Sequence, residues 1–370
     1  MTRAVPLLDL TRQFASIETD VMAEVARVFR SQKFILGEQG AALEKELADH
    51  IGVRHAIGVS SGTDALLVAL MALGVGSSDE VVVPSFSFFA TAGVVARLGA
   101  RPVFADIDPG TFNLSPASFE QRITPRTKAV IPVHLYGQCA AMEEIGEIAD
   151  RHGIAVVEDA CQAIGARRLG RAAGSFSRIA AFSFFPTKNL GAAGDAGLVT
   201  TQDDALAARL RRLRVHGMEP KYHHSEVGGN FRLDEIQAAV LRVKLRHLAQ
   251  WNLRRREIAG EYRARLAAAQ HEGRLVLPVE DPAGEPVYHQ FVVRVARRDE
   301  VRAAMTAAGI GTEIYYPVPL HSQECFRGLA AADLPESERA AREVLALPIF
   351  PELEAGEIEA VADALAAAAG

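Results

Sequence analysis

A lysine stands within an unusually apolar and aromatic stretch of this sequence, AFSFFPTKNLG over residues 181–191. Lysine side chains are seldom buried without a partner. Loss of surrounding water would lower the pKa of the Lys188 amine from its usual value of about 10.4, so that more of it is uncharged. A neutral amine attacks carbonyl groups and can form a Schiff base. An exposed loop lysine would also fit this stretch, so Lys188 alone leaves both interpretations open.

Two consecutive carboxylates, Glu158 and Asp159, follow a short apolar strand in the segment IAVVEDACQ of residues 154–162. A carboxylate at the end of a buried strand is costly unless another group pairs with it. The protonated ring nitrogen of pyridoxal phosphate would be such a partner, because enzymes that use this cofactor keep its ring an electron sink in that way. Asp159 could instead cap the turn that follows, and this segment alone does not decide.

A glycine and a threonine, Gly62 and Thr63, open a predicted helix directly after a strand, in the segment SSGTDA of residues 60–65. The free amides and the positive end of a helix dipole bind phosphate well, and the Thr63 hydroxyl adds a donor. The same segment could be a simple helix cap with a glycine for the tight turn. Both interpretations remain open at this point.

The elements that would position these residues alternate between strand and helix. Short β-rich runs are predicted at 55–60, 80–84, 102–107, 129–133, 155–158, 179–183 and 197–201, with helical patterns between several of them. Such alternation is typical of crossover units and a mostly parallel sheet covered on both faces. Ligands of such sheets bind at the carboxyl ends of the strands, which is where all three segments described above lie.

The rest of the chain predicts a smaller α/β domain. The segment GGNFRLDE of residues 228–235 favours a glycine turn and a helix start, and one long helix is predicted over 232–268 from its apolar spacing. A strand at 288–295 and helices at 299–308, 336–345 and 354–368 follow. We therefore predict a large domain over residues 1–240, with an N-terminal helical segment, and a small domain over 241–370.

Composition excludes several functional classes. Of the 370 residues, 49% are hydrophobic and 23% are charged, and the net charge is 40 − 46 = −6. This balance gives no general attraction to nucleic acid or to an anionic membrane. Three widely spaced cysteines, Cys139, Cys161 and Cys325, cannot form a disulfide framework or a CxxC zinc site. The pair His223 and His224 has no carboxylate or cysteine at a ligand spacing, so we expect no metal.

Targeting signals are not evident in the sequence. The N-terminal segment MTRAVPLLDLTRQF has no apolar core of the length that a signal peptide needs. Apolar runs of 18 residues, which a membrane-spanning helix requires, are not predicted. We expect a cytoplasmic protein.

Taken together and in order, several segments resemble the DegT-type (DegT/DnrJ/StrS) family of pyridoxal-phosphate nucleotide-sugar aminotransferases. The resemblance runs from about residue 8 to residue 365, and Lys188 follows Asp159 by 29 residues within it. The matching stretches are FILGEQGAALEKELADHIG, SSGTDAL, VVVPSFSFFATA, GARPVFADID, VEDACQAIGA, FSFFPTKNLGAAGDAG, GGNFRLDEIQAAVL and YYPVPLH.

The resemblance implies a fold, a cofactor and a set of site residues. It implies the fold type I of pyridoxal-phosphate transferases, an α/β fold with a mostly parallel seven-stranded sheet between helices and a smaller C-terminal α/β domain. It also implies a homodimer with two active sites shared between subunits. By position, Lys188 would carry the cofactor and act as base, and Asp159 would pair with the ring nitrogen. The other cofactor contacts would be Gln162 by the ring, Phe88 stacked on it, Gly62, Thr63 and Ser183 at the phosphate, and Asn230 from the neighbouring subunit.

The same resemblance implies a substrate class. L-Glutamate would donate the amino group, and a nucleotide-linked keto sugar would accept it, with carbon 3 as the expected position. The two sugar classes that fit are a UDP-linked 2-acetamido-3-keto-glucuronate and a dTDP-linked 3-keto-6-deoxyhexose. Arg232, Tyr316 and His321 are the expected substrate contacts, with His216 as a further candidate.

Three other functions are compatible with a chain of this kind. A sugar dehydratase uses the same cofactor, but the dehydratase branch of the family has a histidine where this sequence has Lys188. An aminocyclitol or aminobenzoate-type aminotransferase is the second alternative. A regulator or scaffold that only keeps the fold is the third, although such a protein has no need of Lys188, Asp159 and Gln162 together.

Overall fold

A seven-stranded sheet forms the centre of the computed structural model, which describes residues 4–329 and 333–370. The strands as far as residue 201 are β1 (His55–Val59), β2 (Glu80–Pro84), β3 (Arg101–Ala105), β4 (Thr127–Val130), β5 (Ala155–Asp159), β6 (Arg167–Arg168), β7 (Arg171–Ala172), β8 (Ile179–Ser183) and β9 (Gly197–Thr201). The strand order of the sheet is β1-β9-β8-β5-β4-β2-β3. All neighbouring strands pair in parallel except β9, which is antiparallel to both β1 and β8.

Helices cover both faces of this sheet, as its apolar strands require. The buried helix α3 (Gly62–Ala72) packs against β8 and β9, and its Leu66, Val68 and Leu70 join the main hydrophobic core. The first seven helices are α1 (Leu10–Ser31), α2 (Glu38–Ile51), α3 (Gly62–Ala72), α4 (Ala90–Arg97), α5 (Pro116–Gln121), α6 (Met142–His152) and α7 (Asp204–Leu213). The predicted α/β class with a mostly parallel sheet is confirmed.

The segment predicted as one long helix is two helices, α8 (Glu235–Leu245) and α9 (Leu248–His271). The two parts differ in their main packing partners, although Trp251 near the start of α9 still packs with α8 and α1. Val240 and Val243 of α8 contact the apolar face of α1, whereas Ile258 and Tyr262 of α9 lie in a separate C-terminal core. Apolar spacing continues through the break, so the sequence pattern did not reveal the change of direction.

The C-terminal part forms its own core around a two-stranded antiparallel sheet, β11 (Phe291–Arg294) with β12 (Val344–Leu347). The helix predicted at 336–345 ends at Glu343, and the buried residues that follow form β12. The remaining elements are β10 (Gly284–Glu285), which pairs with β6, and α10 (Arg298–Ala307), α11 (Pro335–Glu343) and α12 (Ala355–Ala368). Short 3₁₀ turns lie at Leu135–Gly137, Leu320–Ser322 and Glu324–Phe326.

The domain boundary after residue 240 stays a prediction, and it falls inside α8. The C-terminal core also includes Val5, which pairs with Ile310 in an isolated β-bridge. The first residues of the described chain therefore pack with the C-terminal core. No helix within residues 4–329 and 333–370 is both long enough and apolar enough to span a membrane.

Candidate active site

Three strand ends meet at one edge of the central sheet and carry the residues singled out by the sequence. Asp159 ends β5, Ser183 ends β8, and the turn after β1 leads into α3 at Gly62. The strand β9 starts between them at Gly197, where an added Cβ would lie 2.3 Å from the Ser61 carbonyl oxygen. The glycine thus lets the turn after β1 cross close to β9 and reach the site.

Lys188 lies in the loop after β8, and its side chain is half-buried. Burial lowers the pKa of its amine, while the nearby Asp159 and Cys161 oppose that shift. Its Nζ lies 3.4 Å from Nε2 of His289, a residue of the C-terminal part of the chain. The amine therefore has the lowered pKa that the apolar stretch around it predicts.

Asp159 is buried at the end of β5, with 5% of its surface exposed. Its Oδ2 accepts a hydrogen bond of 2.9 Å from the Thr91 hydroxyl, and its Oδ1 accepts one of 3.2 Å from the Cys161 amide. Neutral donors thus hold the carboxylate, and within the described residues it has no arginine or lysine within ion-pair distance. A buried carboxylate held by neutral donors is suited to bind a cationic ring nitrogen.

Gln162 lies one turn beyond Asp159 and is nearly buried. Its Oε1 accepts from the Tyr136 amide at 2.8 Å, and its Nε2 donates to the Tyr316 hydroxyl at 3.1 Å. Burial raises the pKa of Tyr316 far above its ordinary value, so this phenol stays protonated. The Tyr136 hydroxyl in turn donates to the Tyr315 carbonyl. The bond from Gln162 holds Tyr316 near Asp159, and its role as a substrate contact stays a prediction.

Gly62 and Ser183 are in direct contact at the start of α3. A Cβ added to Gly62 would lie 2.5 Å from Cβ of Ser183 and 3.1 Å from Sγ of Cys161, so no larger residue fits. Ser61 caps the helix by accepting from the Asp64 amide at 3.0 Å. The first amides of an α-helix have no intrahelical acceptor, and the neighbouring Thr63 is exposed. The arrangement therefore suits a phosphate group.

An exposed aromatic ring completes this part of the site. Phe88 has 54% of its surface exposed, and its ring centroid lies 6.2 Å from that of Tyr316. Flat aromatic ligands stack on such rings. Phe88 lies close to Tyr316 and through it to Gln162, and its role as the stacking residue stays a prediction.

Other expected site residues have different partners in the described chain. Asn230 is exposed, and its Oδ1 accepts from Nε of Arg232 at 2.8 Å. His321 hydrogen-bonds the Ser85 hydroxyl at the end of β2 and lies 3.6 Å from Glu338. His216 is exposed in the loop after α7, and its carbonyl contacts His224. Their predicted roles as cofactor or substrate contacts stay predictions.

Sequence reasoning missed His289 and Thr91, which contact Lys188 and Asp159 directly. Thr91 belongs to α4 and His289 precedes β11, so they are 68 and 101 residues from those partners. One weak signal existed for His289: it is a polar residue within the segment 288–295, which is predicted as a strand. Nothing in the sequence indicated which residue it would contact.

The residues of this edge fit pyridoxal phosphate. The cradle at Gly62 and Ser183 suits its phosphate, Asp159 suits its ring nitrogen, and Phe88 suits its ring face. Lys188 has the lowered pKa needed to attack its aldehyde. Among residues 4–329 and 333–370, no group of three or more His, Cys, Asp and Glu side chains is placed to hold a metal ion.

The fold and this set of side chains define an enzyme of the pyridoxal-phosphate transferase class. The particular family follows from comparison with known proteins: residues 15–366 match the DegT/DnrJ/EryC1/StrS aminotransferase family, and the chain belongs to it. The predicted enzyme class and cofactor are thereby confirmed. One structure of similar fold, NtdA from Bacillus subtilis with the cofactor PMP bound, is 33% identical with a TM-score of 0.93 over 100% of this chain and 86% of that one.

Similar proteins of known name include both a sugar aminotransferase and a regulatory protein. The UDP-N-acetyl-3-dehydro-α-D-glucosamine 3-aminotransferase of Acidithiobacillus ferrooxidans is 48% identical over 97% of this chain and 96% of its own. A pleiotropic regulatory protein of Geobacillus stearothermophilus is also 48% identical, over 98% of both chains. Among solved structures, Streptomyces venezuelae DesV in complex with a ketimine intermediate has a TM-score of 0.96 and 46% identity, over 100% of this chain and 99% of that one.

Proposed function

We propose that this protein transfers an amino group from L-glutamate to carbon 3 of a nucleotide-linked keto sugar, with pyridoxal phosphate as its cofactor. The observation that carries the proposal is the site itself: the Lys188 amine, its pKa lowered by burial, lies near Asp159 at the edge of the central sheet. Names of relatives support the sugar class, since a UDP-linked 3-keto sugar and a dTDP-linked 3-amino sugar both occur among them.

Each side chain of the site has a distinct task in this reaction. When bound, pyridoxal phosphate supplies a carbonyl for the amino group and a ring that accepts electrons. Lys188 would hold the cofactor covalently, and its amine, once released, would take the α-proton of the amino donor and return it at the cofactor carbon that carries the nitrogen. Asp159 would keep the ring nitrogen protonated. The start of α3 would hold the phosphate, so that the reacting atoms stay within reach of Lys188.

The proposal includes a homodimer in which Asn230 serves the partner's site. Asn230 is exposed and contacts Arg232 rather than the Lys188 region of its own chain. Exposed apolar side chains lie near the site and along α1, among them Phe185 with 50%, Met22 with 54% and Phe29 with 53% of their surface exposed. A dimer interface that covers these side chains would remove their apolar surface from water. A cytoplasmic location is part of the proposal, supported by three cysteines that are all free.

A regulatory function is the second candidate, because the Geobacillus relative bears a regulatory name. A protein that only regulates needs the fold but not a lysine of lowered pKa near a buried carboxylate. The set of Lys188, Asp159 and Gln162 therefore favours the enzyme, and catalysis and regulation are separable by experiment.

The first test is the visible absorption spectrum of the purified protein with pyridoxal phosphate, before and after addition of L-glutamate. We expect a band of the lysine-bound cofactor that bleaches when glutamate is added. In Lys188→Met the band is absent, and reduction with borohydride no longer attaches the cofactor to residue 188 by mass spectrometry. Lys244→Met is the matched control, since burial lowers the pKa of the Lys244 amine as well.

Substrate choice is tested separately. Transamination is reversible, so nucleotide-linked 3-amino sugars and 2-oxoglutarate are offered together, and formation of glutamate is measured. UDP-linked and dTDP-linked compounds are compared, with 4-amino sugars of the same nucleotides as controls. A protein that binds the cofactor and yet transfers no amino group from any 3-amino sugar would refute the proposed carbon 3 specificity. A protein that binds no cofactor would favour the regulatory candidate.

A further inference from the structure

A buried histidine lies behind the reactive lysine and belongs to neither the predicted nor the proposed machinery. His289 is 8% exposed, and its Nε2 lies 3.4 Å from Nζ of Lys188. Its other nitrogen, Nδ1, lies 3.3 Å from Oδ1 of Asn189, the residue after Lys188. The ring therefore connects two consecutive residues of the loop that follows β8.

The hydrogen bonds around Asn189 determine how the proton on His289 is placed. Nδ2 of Asn189 donates to the Val287 carbonyl at 3.0 Å and to Oδ1 of Asn252 at 2.8 Å. The Asn252 amide has one orientation, because its own Nδ2 donates to the Ile164 carbonyl at 3.0 Å. Both protons of Asn189 Nδ2 are therefore used, and its Oδ1 can only accept. His289 must then carry its proton on Nδ1.

The free electron pair of His289 consequently lies on Nε2, the nitrogen that faces Lys188. A second proton on the ring would be unfavourable, because burial and the neighbouring Lys188 and Arg255 hold the pKa of His289 well below its usual range. His289 is therefore a hydrogen-bond acceptor for an N–H of the Lys188 amine, whether that amine is neutral or charged.

The backbone of His289 is held in place as firmly as its ring. The buried guanidinium of Arg255 donates through Nη1 to three carbonyls, those of Tyr288 at 3.1 Å, His289 at 3.4 Å and Ile349 at 2.9 Å. A guanidinium with several carbonyl acceptors fixes their relative positions. Nε2 of His289, the acceptor that faces Lys188, thus belongs to a hydrogen-bond network that joins α9, the segment before β11 and the loop after β8.

We propose that His289 is a positioning residue, whose Nε2 accepts a hydrogen bond from the Lys188 amine and so directs the lone pair of that amine towards the reacting carbons. This inference rests on the proposed function for its catalytic consequence. A lysine side chain has four rotatable bonds, and a fixed acceptor reduces the number of positions its amine can take. Displacement of a reacting group by about 1 Å can cost about 100-fold in rate.

Two isosteric variants separate the two ring nitrogens. In His289→Gln, the amide oxygen can lie where Nε2 was and accept from Lys188, while the contact with Asn189 is lost. In His289→Asn, the amide nitrogen can lie where Nδ1 was and donate to Asn189, but no atom reaches Lys188. His289→Leu removes both contacts. If His289 had only a structural role, the Lys188 pKa and the kcat of the Asn variant would be at least as close to the wild-type values as those of the Gln variant.

The first measurement uses the cofactor-free protein, so it does not depend on the proposed reaction. Labelling of Lys188 by an amine reagent is followed against pH by peptide mass spectrometry, and the midpoint reports the pKa of the amine. An acceptor favours the charged form, so its loss moves the midpoint to lower pH. We expect a lower midpoint in the Asn and Leu variants and the wild-type midpoint in the Gln variant. Equal midpoints in all four proteins, or a Gln variant shifted like the Asn variant, would overturn the proposal.

The second measurement is steady-state kinetics with L-glutamate on the cofactor-loaded proteins. We expect kcat to fall about 10- to 100-fold in the Asn and Leu variants, with KM within about twofold of the wild type, and to recover to within about fivefold in the Gln variant. A labelling shift with an unchanged kcat would refute the positioning role. A wild-type protein without transaminase activity would refute the proposed function instead. The labelling result would still show whether His289 accepts a hydrogen bond from Lys188.

Discussion

The carboxylates of Glu158 and Asp159 are consecutive in the chain and have entirely separate partners. The side chain of Glu158 is fully buried and accepts from the amides of Gly174 and Ser177 at 2.7 Å each, and it contacts His134 at 3.1 Å. Asp159 contacts Thr91 and lies near Lys188. Successive residues of a strand point to opposite faces of the sheet, so one carboxylate is held within the structure while the other lies at the proposed site.

Substitution of these two neighbours should therefore separate stability from activity. We expect Asp159→Asn to lower kcat with L-glutamate at least about 100-fold and to leave the Tm close to that of the wild type. Glu158→Gln should lower the stability and leave kcat close to that of the wild type. The NH2 of the new amide would face a backbone N–H that donates to a carboxylate oxygen in the wild type. The free energy of unfolding of this variant should fall by about 3 kcal/mol. Denaturant titrations and glutamate kinetics on both variants check this, and a large loss of kcat in the Gln variant at unchanged stability would contradict it.

The contact between Gly62 and Ser183 predicts a steric effect on cofactor binding. In Gly62→Ala the new methyl group would overlap Ser183, so the start of α3 must shift away from the phosphate site. We expect the free energy of unfolding to fall by about 1–3 kcal/mol and the Kd of pyridoxal phosphate to rise about tenfold. Fluorescence titration with the cofactor measures this change.

A matched glycine provides the control for that experiment. Gly146 lies inside α6, and a Cβ added there meets no atom within 4 Å. Gly146→Ala should therefore stabilise the protein by about 0.5–1 kcal/mol and leave the Kd of the cofactor unchanged. Equal cofactor affinity in the two alanine variants would argue against a phosphate site at Gly62.

The lowered pKa of Lys188 predicts a dependence of stability on pH in the cofactor-free protein. At pH values between the lowered pKa of Lys188 in the folded protein and its ordinary pKa of 10.5, the folded protein binds fewer protons at Lys188 than the unfolded chain does. Stability rises with pH wherever the unfolded state binds more protons. Compared with Lys188→Met, the wild type should therefore gain stability as pH rises through that window. Urea titrations of both proteins at several pH values check the sign of this pH dependence. A difference in their free energies of unfolding that does not change with pH would contradict the prediction.

The proposed dimer, in which Asn230 serves the partner's site, predicts complementation between two inactive variants. Lys188→Met and Asn230→Ala should each lack activity, but co-expressed chains should form mixed dimers with one site in which Lys188 and Asn230 are both intact. Random pairing of equal amounts gives about a quarter of the wild-type activity per total site. If Asn230 served its own chain, mixed dimers would contain only damaged sites and activity would not return.

Much of the central sheet could be predicted, because strands and helices with strong apolar patterns reveal themselves locally. The segment 80–84 was predicted with its observed bounds as β2, and 179–183 as β8. Errors occurred where packing rather than pattern decides. The residues 344–347 continue a helical pattern and yet form β12, since they pair with β11 and enter the C-terminal core.

Residue chemistry and spacing in the sequence determined that Lys188, Asp159 and the Gly62 turn would follow strands of one sheet, and therefore meet at one edge. Tertiary structure alone decided that His289 faces the Lys188 amine, because that contact joins residues 101 positions apart. It also decided that Thr91 rather than a basic side chain holds Asp159. Local sequence encodes the type of each element, whereas contacts between distant elements depend on how all of them pack, which no single segment records.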